Sequence, residues 1–109
     1  MKVTFGEYIR SLRNQRQLTL TQLAAKLDLD TANLCKIENG KRDFDQKRLP
    51  KLAKTLEVNL KELKNEYVSD QIGKFIHENK CSKQLLAIAQ EKAAYRKKME
   101  QLYQNQSKI

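Results

Sequence analysis

Apolar residues recur at intervals of three and four over most of the 109-residue chain, which is the spacing of one face of an α-helix. From Leu20 to Leu27 the apolar positions follow i, i+3, i+4 and i+7, which predicts one short amphipathic helix. In the next predicted helix, over about 31–39, Leu34 and Ile37 lie three residues apart and polar residues fill most of the remainder. Glycine and proline are scarce and β-branched runs are absent. The pattern therefore predicts an all-α fold class.

Capping signals place the first two helices. The sequences TFGE at 4–7 and TLTQ at 19–22 are capping boxes, in which a threonine hydroxyl and the Glu or Gln three residues later satisfy each other's backbone amides. They predict a first helix over about 5–17 and a second over 20–27.

The third and fourth helices carry less regular signals. Asp30 is the expected cap of the third helix, and Gly40 its left-handed stop. Asp45 is the expected cap of the fourth. If that helix starts near Gln46, Pro50 falls in its fifth position and removes a hydrogen bond. Either the helix begins later or its first turn is distorted.

The pattern changes after Val68. Asn59 is expected to cap a fifth helix, Ser69 another, and Ser82 a last helix that reaches about Tyr103. We therefore divide the chain into a domain over 1–68 and a helical C-terminal extension over 69–109.

Charge indicates an anionic partner. The chain has 22 Lys and Arg against 13 Asp and Glu, a formal net charge of +9, and a sequence pI near 9.7. Both segments contribute to it, so the chain is not a neutral domain with a basic tail. Nucleic acid is the commonest partner for such a balance. The alternative is a solvated basic surface that only confers solubility.

The sequence LTLTQLAAKLDLDTANLCKIENGKR, followed by LPKLAKTLEV, resembles the helix-turn-helix of the Cro and phage-repressor family, also called XRE-type. The resemblance covers about residues 5–66. It implies a five-helix, lambda-repressor-like bundle with a C-terminal helical extension, whose third helix enters the DNA major groove. The extension matches more weakly and resembles longer relatives that accompany restriction-modification genes.

The resemblance also implies contacts to base edges from Thr31, Ala32, Asn33 and Lys36. Asn33 has the amide that bonds adenine bidentately, Lys36 can reach guanine or a phosphate, and Ala32 can meet a thymine methyl group. The alternative is an ordinary solvated helix face.

Phosphate contacts are expected at the start of the second helix and in the basic segment after the third. The candidates are Thr19, Gln22, Lys41, Arg42, Lys47 and Arg48. The chain departs from the family at two positions. It has Leu20 where glutamine commonly contacts DNA, and Asp28 where the turn often carries glycine.

Glu38 places a negative charge on the helix that is expected to read DNA. In the family the matching glutamate meets an arginine of the first helix, which is Arg13 here. We therefore predict a partly buried Arg13–Glu38 ion pair. The alternative is two independent surface charges.

Other chemistry has little support. His77 is the only histidine, and Cys35 and Cys81 have neither metal-ligand nor redox spacing. A redox role for Cys35, on the polar side of the third helix, is the less favoured interpretation. We predict no enzyme activity, no cofactor and no metal. No apolar run approaches the roughly 20 residues of a membrane span, so we expect no membrane association. The two cysteines without a supported disulfide favour a cytoplasmic, reducing location.

The C-terminal extension carries a possible coiled-coil seam. Its apolar residues follow the a and d spacing of a coiled coil, with Lys92 at one a position. These residues are Leu85, Ile88, Tyr95, Met99 and Leu102. The seam either pairs two protomers or folds back onto the first and fifth helices.

Together these features predict a homodimeric, sequence-specific transcriptional regulator that binds a pseudo-palindromic operator in double-stranded DNA. A second interpretation is an antitoxin-like module whose tail binds a partner protein. A third is non-specific nucleic-acid binding, which predicts a strong salt dependence without sequence preference.

Overall fold

A computed structural model describes residues 3–106 of the chain. These residues form α-helices and one 3-10 turn, and none of them lies in a β-strand. The helices are α1 (Phe5–Gln15), α2 (Leu20–Lys26), α3 (Thr31–Glu38), α4 (Leu49–Leu56), α5 (Leu60–Glu78) and α6 (Lys83–Gln106). The predicted all-α fold class is confirmed. None of the described helices is long and apolar enough to cross a membrane.

Both predicted capping boxes are present. Thr4 Oγ1 accepts a hydrogen bond from Glu7 N at 3.2 Å, and Glu7 Oε1 accepts one from Thr4 N at 3.1 Å. The Thr4 backbone amide and the Thr4 hydroxyl both donate to Glu7 Oε1 and hold the pKa of this carboxyl below its usual value. The first helix ends at Gln15, two residues earlier than predicted, because Gln17 adopts a left-handed conformation with φ of 56°. Asp30 is the N-cap residue of α3, but its side chain makes no capping hydrogen bond.

Of the two alternatives for the helix that contains Pro50, a later start or a distorted first turn, the structure shows the later start. Asp45 caps a 3-10 turn over Gln46–Arg48, with Oδ1 accepting from Lys47 N at 3.1 Å. The α-helix α4 then begins at Leu49, so Pro50 lies in its first turn. Amides there have no partner within the helix, so the missing N–H of proline costs little.

The new helix predicted to start at Ser69 is not formed. Helix α5 continues through this region to Glu78, and Ser69 Oγ donates to Glu66 O at 3.2 Å instead of capping a new helix. A serine that bonds to the preceding turn is tolerated inside a helix. The apolar pattern changes because Ile72 and Phe75 are exposed. Ser82 does cap α6, accepting from Leu85 N at 3.1 Å, and α6 extends three residues beyond Tyr103.

The chain divides into two compact units, one ending at Gly73 and the other beginning at Lys74. The first unit contains a single hydrophobic core, whereas none of the described residues 74–106 is buried. The core residues are Phe5, Ile9, Leu23, Ala24, Leu27, Leu34, Ile37, Phe44, Leu49, Leu52, Ala53, Leu56 and Leu63. These residues come from α1 to α4, from Leu27 directly after α2, from the first turns of α5 and from the loop before the 3-10 turn.

Helix α5 is attached to this core by Tyr67. Its ring packs edge-on against Phe5, with ring centroids 5.2 Å apart, and its hydroxyl donates to Phe44 O at 2.9 Å. Burial raises the pKa of the Tyr67 hydroxyl above its usual value. The loop before α4 is thereby fixed against α5.

Candidate nucleic-acid interface

Helices α2 and α3 are joined by a tight turn at Asp28. The residue has φ of 55°, a left-handed conformation that asparagine and aspartate tolerate better than most residues. Leu29 N then donates to Ala24 O at 2.8 Å, which ends α2. Lys51 Nζ lies 2.5 Å from Asp28 Oδ2 and holds the pKa of that carboxyl below its usual value. Aspartate therefore occupies the turn position where the family often has glycine, and a lysine of α4 contacts it.

Helix α3 presents one open face. Leu34 and Ile37 are buried in the core, while Ala32 and Lys36 are exposed. At about 100° per residue, Ala32 and Lys36 point away from the buried pair. Asn33 is half-buried and lies at one border of the open face. Half-buried Thr31 lies toward the other border, in the first turn of the helix. The four residues predicted to contact bases therefore surround one accessible surface.

The back of α3 is fixed by a buried carboxylate. Glu38 is 2% exposed and lies beside two arginines of α1. Arg13 Nε donates to Glu38 Oε2 at 2.8 Å and its Nη2 to Oε1 at 3.1 Å. The expected Arg13–Glu38 pair is thus formed, and the alternative of two independent surface charges does not describe the structure. Arg13 Nη1 also donates to Leu18 O at 2.8 Å, which links the loop before α2 to the same group.

Sequence reasoning missed the second arginine. Arg10 Nε donates to Glu38 Oε1 at 3.3 Å, and Arg10 Nη2 donates to Asn39 Oδ1. Its signal was present, because Arg10 lies three residues before Arg13 and hence on the same side of α1. Asn39 Nδ2 in turn donates to Cys35 Sγ at 3.5 Å. Cys35 is therefore a half-buried free thiol in contact with this network.

The start of α2 is organised by its capping box. Thr19 Oγ1 accepts from Gln22 N at 3.1 Å, and Gln22 Oε1 accepts from Thr19 N at 2.9 Å. Both side chains are exposed. The Thr19 hydroxyl proton and the Gln22 amide protons are not used by these bonds, so both residues retain a donor toward solvent.

The basic candidates after α3 fall into two groups. Lys41, Arg42 and Lys47 are exposed. Arg48 is half-buried, and its Nη1 donates to Leu27 O at the end of α2. Arg48 thus holds α2 against the turn that precedes α4. Its expected phosphate contact stays a prediction, as do the contacts of the other three.

In the described part of the chain, no group of three or more His, Cys, Asp or Glu residues could hold a metal ion. In the second unit, every residue of the predicted seam of α6 is exposed.

Comparison with known proteins identifies the class of this fold. A family model described as a helix-turn-helix domain matches residues 6–68, which contain all the candidate DNA contacts named above. The chain belongs to this family of XRE-type, DNA-binding transcriptional regulators.

Two named relatives align with this region. The chain is 41% identical over 56 residues to the HTH-type transcriptional repressor RghR of Bacillus subtilis (strain 168), an alignment that covers 50% of this chain and 42% of the repressor. It is 36% identical over 64 residues to the control protein C.MunI of Mycoplasma sp, covering 58% of this chain and 86% of that protein. The alignments span about two fifths of RghR and of the related Bacillus regulator RghRB. These relatives are regulators, which points away from an enzyme.

Two solved structures share the fold. The restriction-modification controller protein C.AhdI from Aeromonas hydrophila matches 54% of this chain and 89% of its own, with a TM-score of 0.50 and 32% identity. A chain of the SinR/SinI protein complex matches 87% of this chain and 99% of its own, also with a TM-score of 0.50. Its identity of 22% shows similarity of fold alone.

Proposed function

We propose that the protein is a homodimeric, sequence-specific transcriptional regulator that binds a pseudo-palindromic operator and acts in the cytoplasm. Residues 1–68 form the DNA-binding domain, and residues 69–109 form a dimerisation or interaction segment. The observation that carries the proposal is the open face of α3, backed by the buried Glu38 network. This network ties α3 to α1, so its exposed residues meet DNA as a rigid set.

The chemistry of the open face suits base edges in the major groove. The groove is about 12 Å wide and admits one α-helix. The Asn33 amide can donate to and accept from adenine, the Lys36 ammonium can donate to guanine, and the Ala32 methyl group can contact thymine. Each good bidentate pair discriminates by about 1–3 kcal/mol. Thr31 supplies a hydroxyl in the first turn of the helix.

Phosphate contacts position this helix. Exposed Lys41, Arg42 and Lys47 follow α3 along the chain, and the Thr19 and Gln22 donors lie at the start of α2. Such contacts fix register on the duplex without reading sequence. Since Leu20 has no polar group, the family's glutamine contact is absent, and the remaining donors of α2 take its place.

A dimer supplies the specificity that one helix lacks. Two-fold dimers of this kind read half-sites about 34 Å apart, so the operator mirrors the symmetry of the protein. The exposed seam of α6 provides an apolar surface for the second subunit. An operator that overlaps a promoter gives repression, whereas one beside it permits activation.

A second candidate function is an antitoxin-like module whose tail binds another protein. The exposed seam of α6 favours it. A stoichiometric partner that requires residues 69–109 for co-purification would support this function.

The test is selection from randomised duplex DNA at about 0.15 M salt, where non-specific binding is weak. The expected product is a palindrome with half-sites about one helical turn apart. The matched control is Asn33→Ala, which should relax preference at one position in each half-site. If circular dichroism shows folded protein and no sequence is enriched, the proposal fails in favour of non-specific binding or a protein partner.

A further inference from the structure

The apolar seam of α6 has no buried member. Its residues are 45–63% exposed along a 24-residue helix. The members are Leu85, Ile88, Tyr95, Met99 and Leu102, with Lys92 interrupting the series. A two-stranded pair of such helices covers a seam of this kind. The direction of the second helix can be argued from the polar residues in and beside the seam.

The seam can pair with a copy of itself in either direction. Its spacing of 3, 4, 3, 4 and 3 residues reads the same from both ends. In a parallel pair, each residue faces its own copy. In an antiparallel pair centred between Lys92 and Tyr95, Leu85 faces Leu102 and Ile88 faces Met99. The apolar members therefore suit both directions, and Lys92 decides between them.

Lys92 opposes a parallel arrangement. There its ammonium would face Lys92 of the partner subunit at the centre of the seam, and like charges in contact repel. In the antiparallel arrangement Lys92 faces Tyr95 of the partner subunit. A lysine beside a tyrosine ring gains a cation–π contact, and its methylene stem covers apolar surface. By symmetry this contact forms twice.

The flanking charges also suit the antiparallel pair. Glu91 and Lys98 both occupy g positions of the heptad, directly before Lys92 and Met99. In an antiparallel pair the g positions face each other, so Glu91 meets Lys98 of the partner subunit at two equivalent places. In a parallel pair Glu91 would instead meet Arg96 of the partner subunit, at an e position.

We propose that α6 pairs in antiparallel orientation with α6 of a second copy of this chain. Lys92 then packs against Tyr95 of the partner subunit, and Glu91 forms an ion pair with Lys98 of the partner subunit. This rests on the proposed homodimer and specifies how the two subunits join. The occupant of the seam is thus a second copy of the chain.

Charge exchange tests the direction. We would measure the dimer dissociation constant of the full chain by sedimentation equilibrium for E91K, E91K/K98E and E91K/R96E. The two double variants keep the same net charge and differ only in which partner of Glu91 is exchanged. In E91K, the two equivalent exposed ion pairs become repulsive contacts, so we expect the dimer to be about tenfold weaker. E91K/K98E should return to the wild-type constant, and E91K/R96E should stay weak.

Each other result overturns the proposal. Recovery by E91K/R96E and not by E91K/K98E means a parallel pair. A dissociation constant that none of the three variants changes means that the seam lies outside the dimer interface. A wild-type chain that stays monomeric overturns both the antiparallel pair and the proposed homodimer. Enrichment of a palindrome by the wild-type protein is scored separately. DNA recognition can therefore survive while the antiparallel pair fails.

A second measurement uses cysteines in a C35S/C81S background. Chains carrying L85C and chains carrying L102C are oxidised separately, and a mixture of the two is oxidised in the same way. The antiparallel pair predicts a disulfide only in the mixture, since each cysteine faces the other position. Disulfide-linked dimers of the L85C chains alone would indicate parallel helices and contradict the proposal.

Discussion

Gly6 of α1 packs directly against the backbone of α3. A Cβ atom at this position would lie 2.6 Å from the carbonyl oxygen of Glu38 and closer still to that of Ile37. Real Cβ atoms do not approach backbone oxygens so closely, and a backbone carbonyl cannot move aside as a side chain can. The missing side chain therefore sets the distance between the two helices, and with it the position of the Glu38 network.

We predict that Gly6→Ala destabilises the first unit by about 1–3 kcal/mol, the usual cost of overpacking. The measurement is the midpoint of urea unfolding followed by circular dichroism. Gly73→Ala is the matched control, because nothing lies within 4 Å of the Cβ position in that helix. It should stabilise α5 by about 0.5–1 kcal/mol through helix propensity. Equal effects of the two substitutions would contradict the close contact at Gly6.

The role of Gly6 was not predictable from the sequence. The capping box that contains it marks a helix start, and only the packed structure shows which glycine lies at a crossing. Asp28 is different, since the family resemblance marks its position as a left-handed turn before any coordinates are known. Its partner Lys51 lies 23 residues away, and a contact at that separation leaves no local pattern in the sequence.

At the scale of elements, α1 and α3 are held together by the arginines around Glu38. Arg13 is 12% exposed and contacts both carboxylate oxygens, whereas Arg10 is 41% exposed and contacts one. A carboxylate that loses a buried partner keeps its desolvation cost. Removal of Arg13 therefore leaves the buried Glu38 carboxylate without its main partner, whereas removal of Arg10 takes away only an exposed contact to the same carboxylate.

We predict that Arg13→Gln costs about 3–5 kcal/mol of unfolding free energy, the range for breaking a buried pair. Arg10→Gln should cost about 1 kcal/mol or less, as an exposed pair does. A double-mutant cycle of Arg13→Gln with Glu38→Gln, measured by urea unfolding, should show strong coupling. Negligible coupling would mean that the pair contributes nothing specific to the α1–α3 contact.

Local signals placed most elements correctly. The capping boxes at 4–7 and 19–22 depend only on residues three apart, and both are formed as predicted. The helix start predicted at Ser69 was wrong because the change in apolar pattern after Val68 marks a change in burial within one helix. Ser69 carries the side chain of a typical cap, and the sequence alone does not show that it bonds to its own helix. The pairing of Arg13 with Glu38 came from the family resemblance, since no spacing rule links residues 25 apart.

At the scale of the whole molecule, charge and shape contribute separately to DNA binding. The net charge of +9 attracts any duplex, and each neutralised phosphate changes the slope of log K against log salt by about 0.9. Contacts to base edges change the preference for one sequence and leave this slope nearly unchanged. A dimer doubles every contact, so one substitution in the chain removes two.

We predict that Lys41→Gln reduces the slope by about 2 for operator and random DNA alike, since each subunit then loses one phosphate contact. Asn33→Ala should leave the slope unchanged. It should reduce the difference in binding free energy between operator and random DNA by about 1–3 kcal/mol per half-site. Lys97→Gln is the charge-matched control: it removes the same charge from the exposed side of α6 opposite the seam, and should change neither quantity. Fluorescence anisotropy titrations at several salt concentrations give both quantities.

If Lys97→Gln changed the slope as much as Lys41→Gln, the salt dependence would come from the overall charge and not from a phosphate contact beside α3. If Asn33→Ala weakened operator and random DNA equally, Asn33 would not be reading a base.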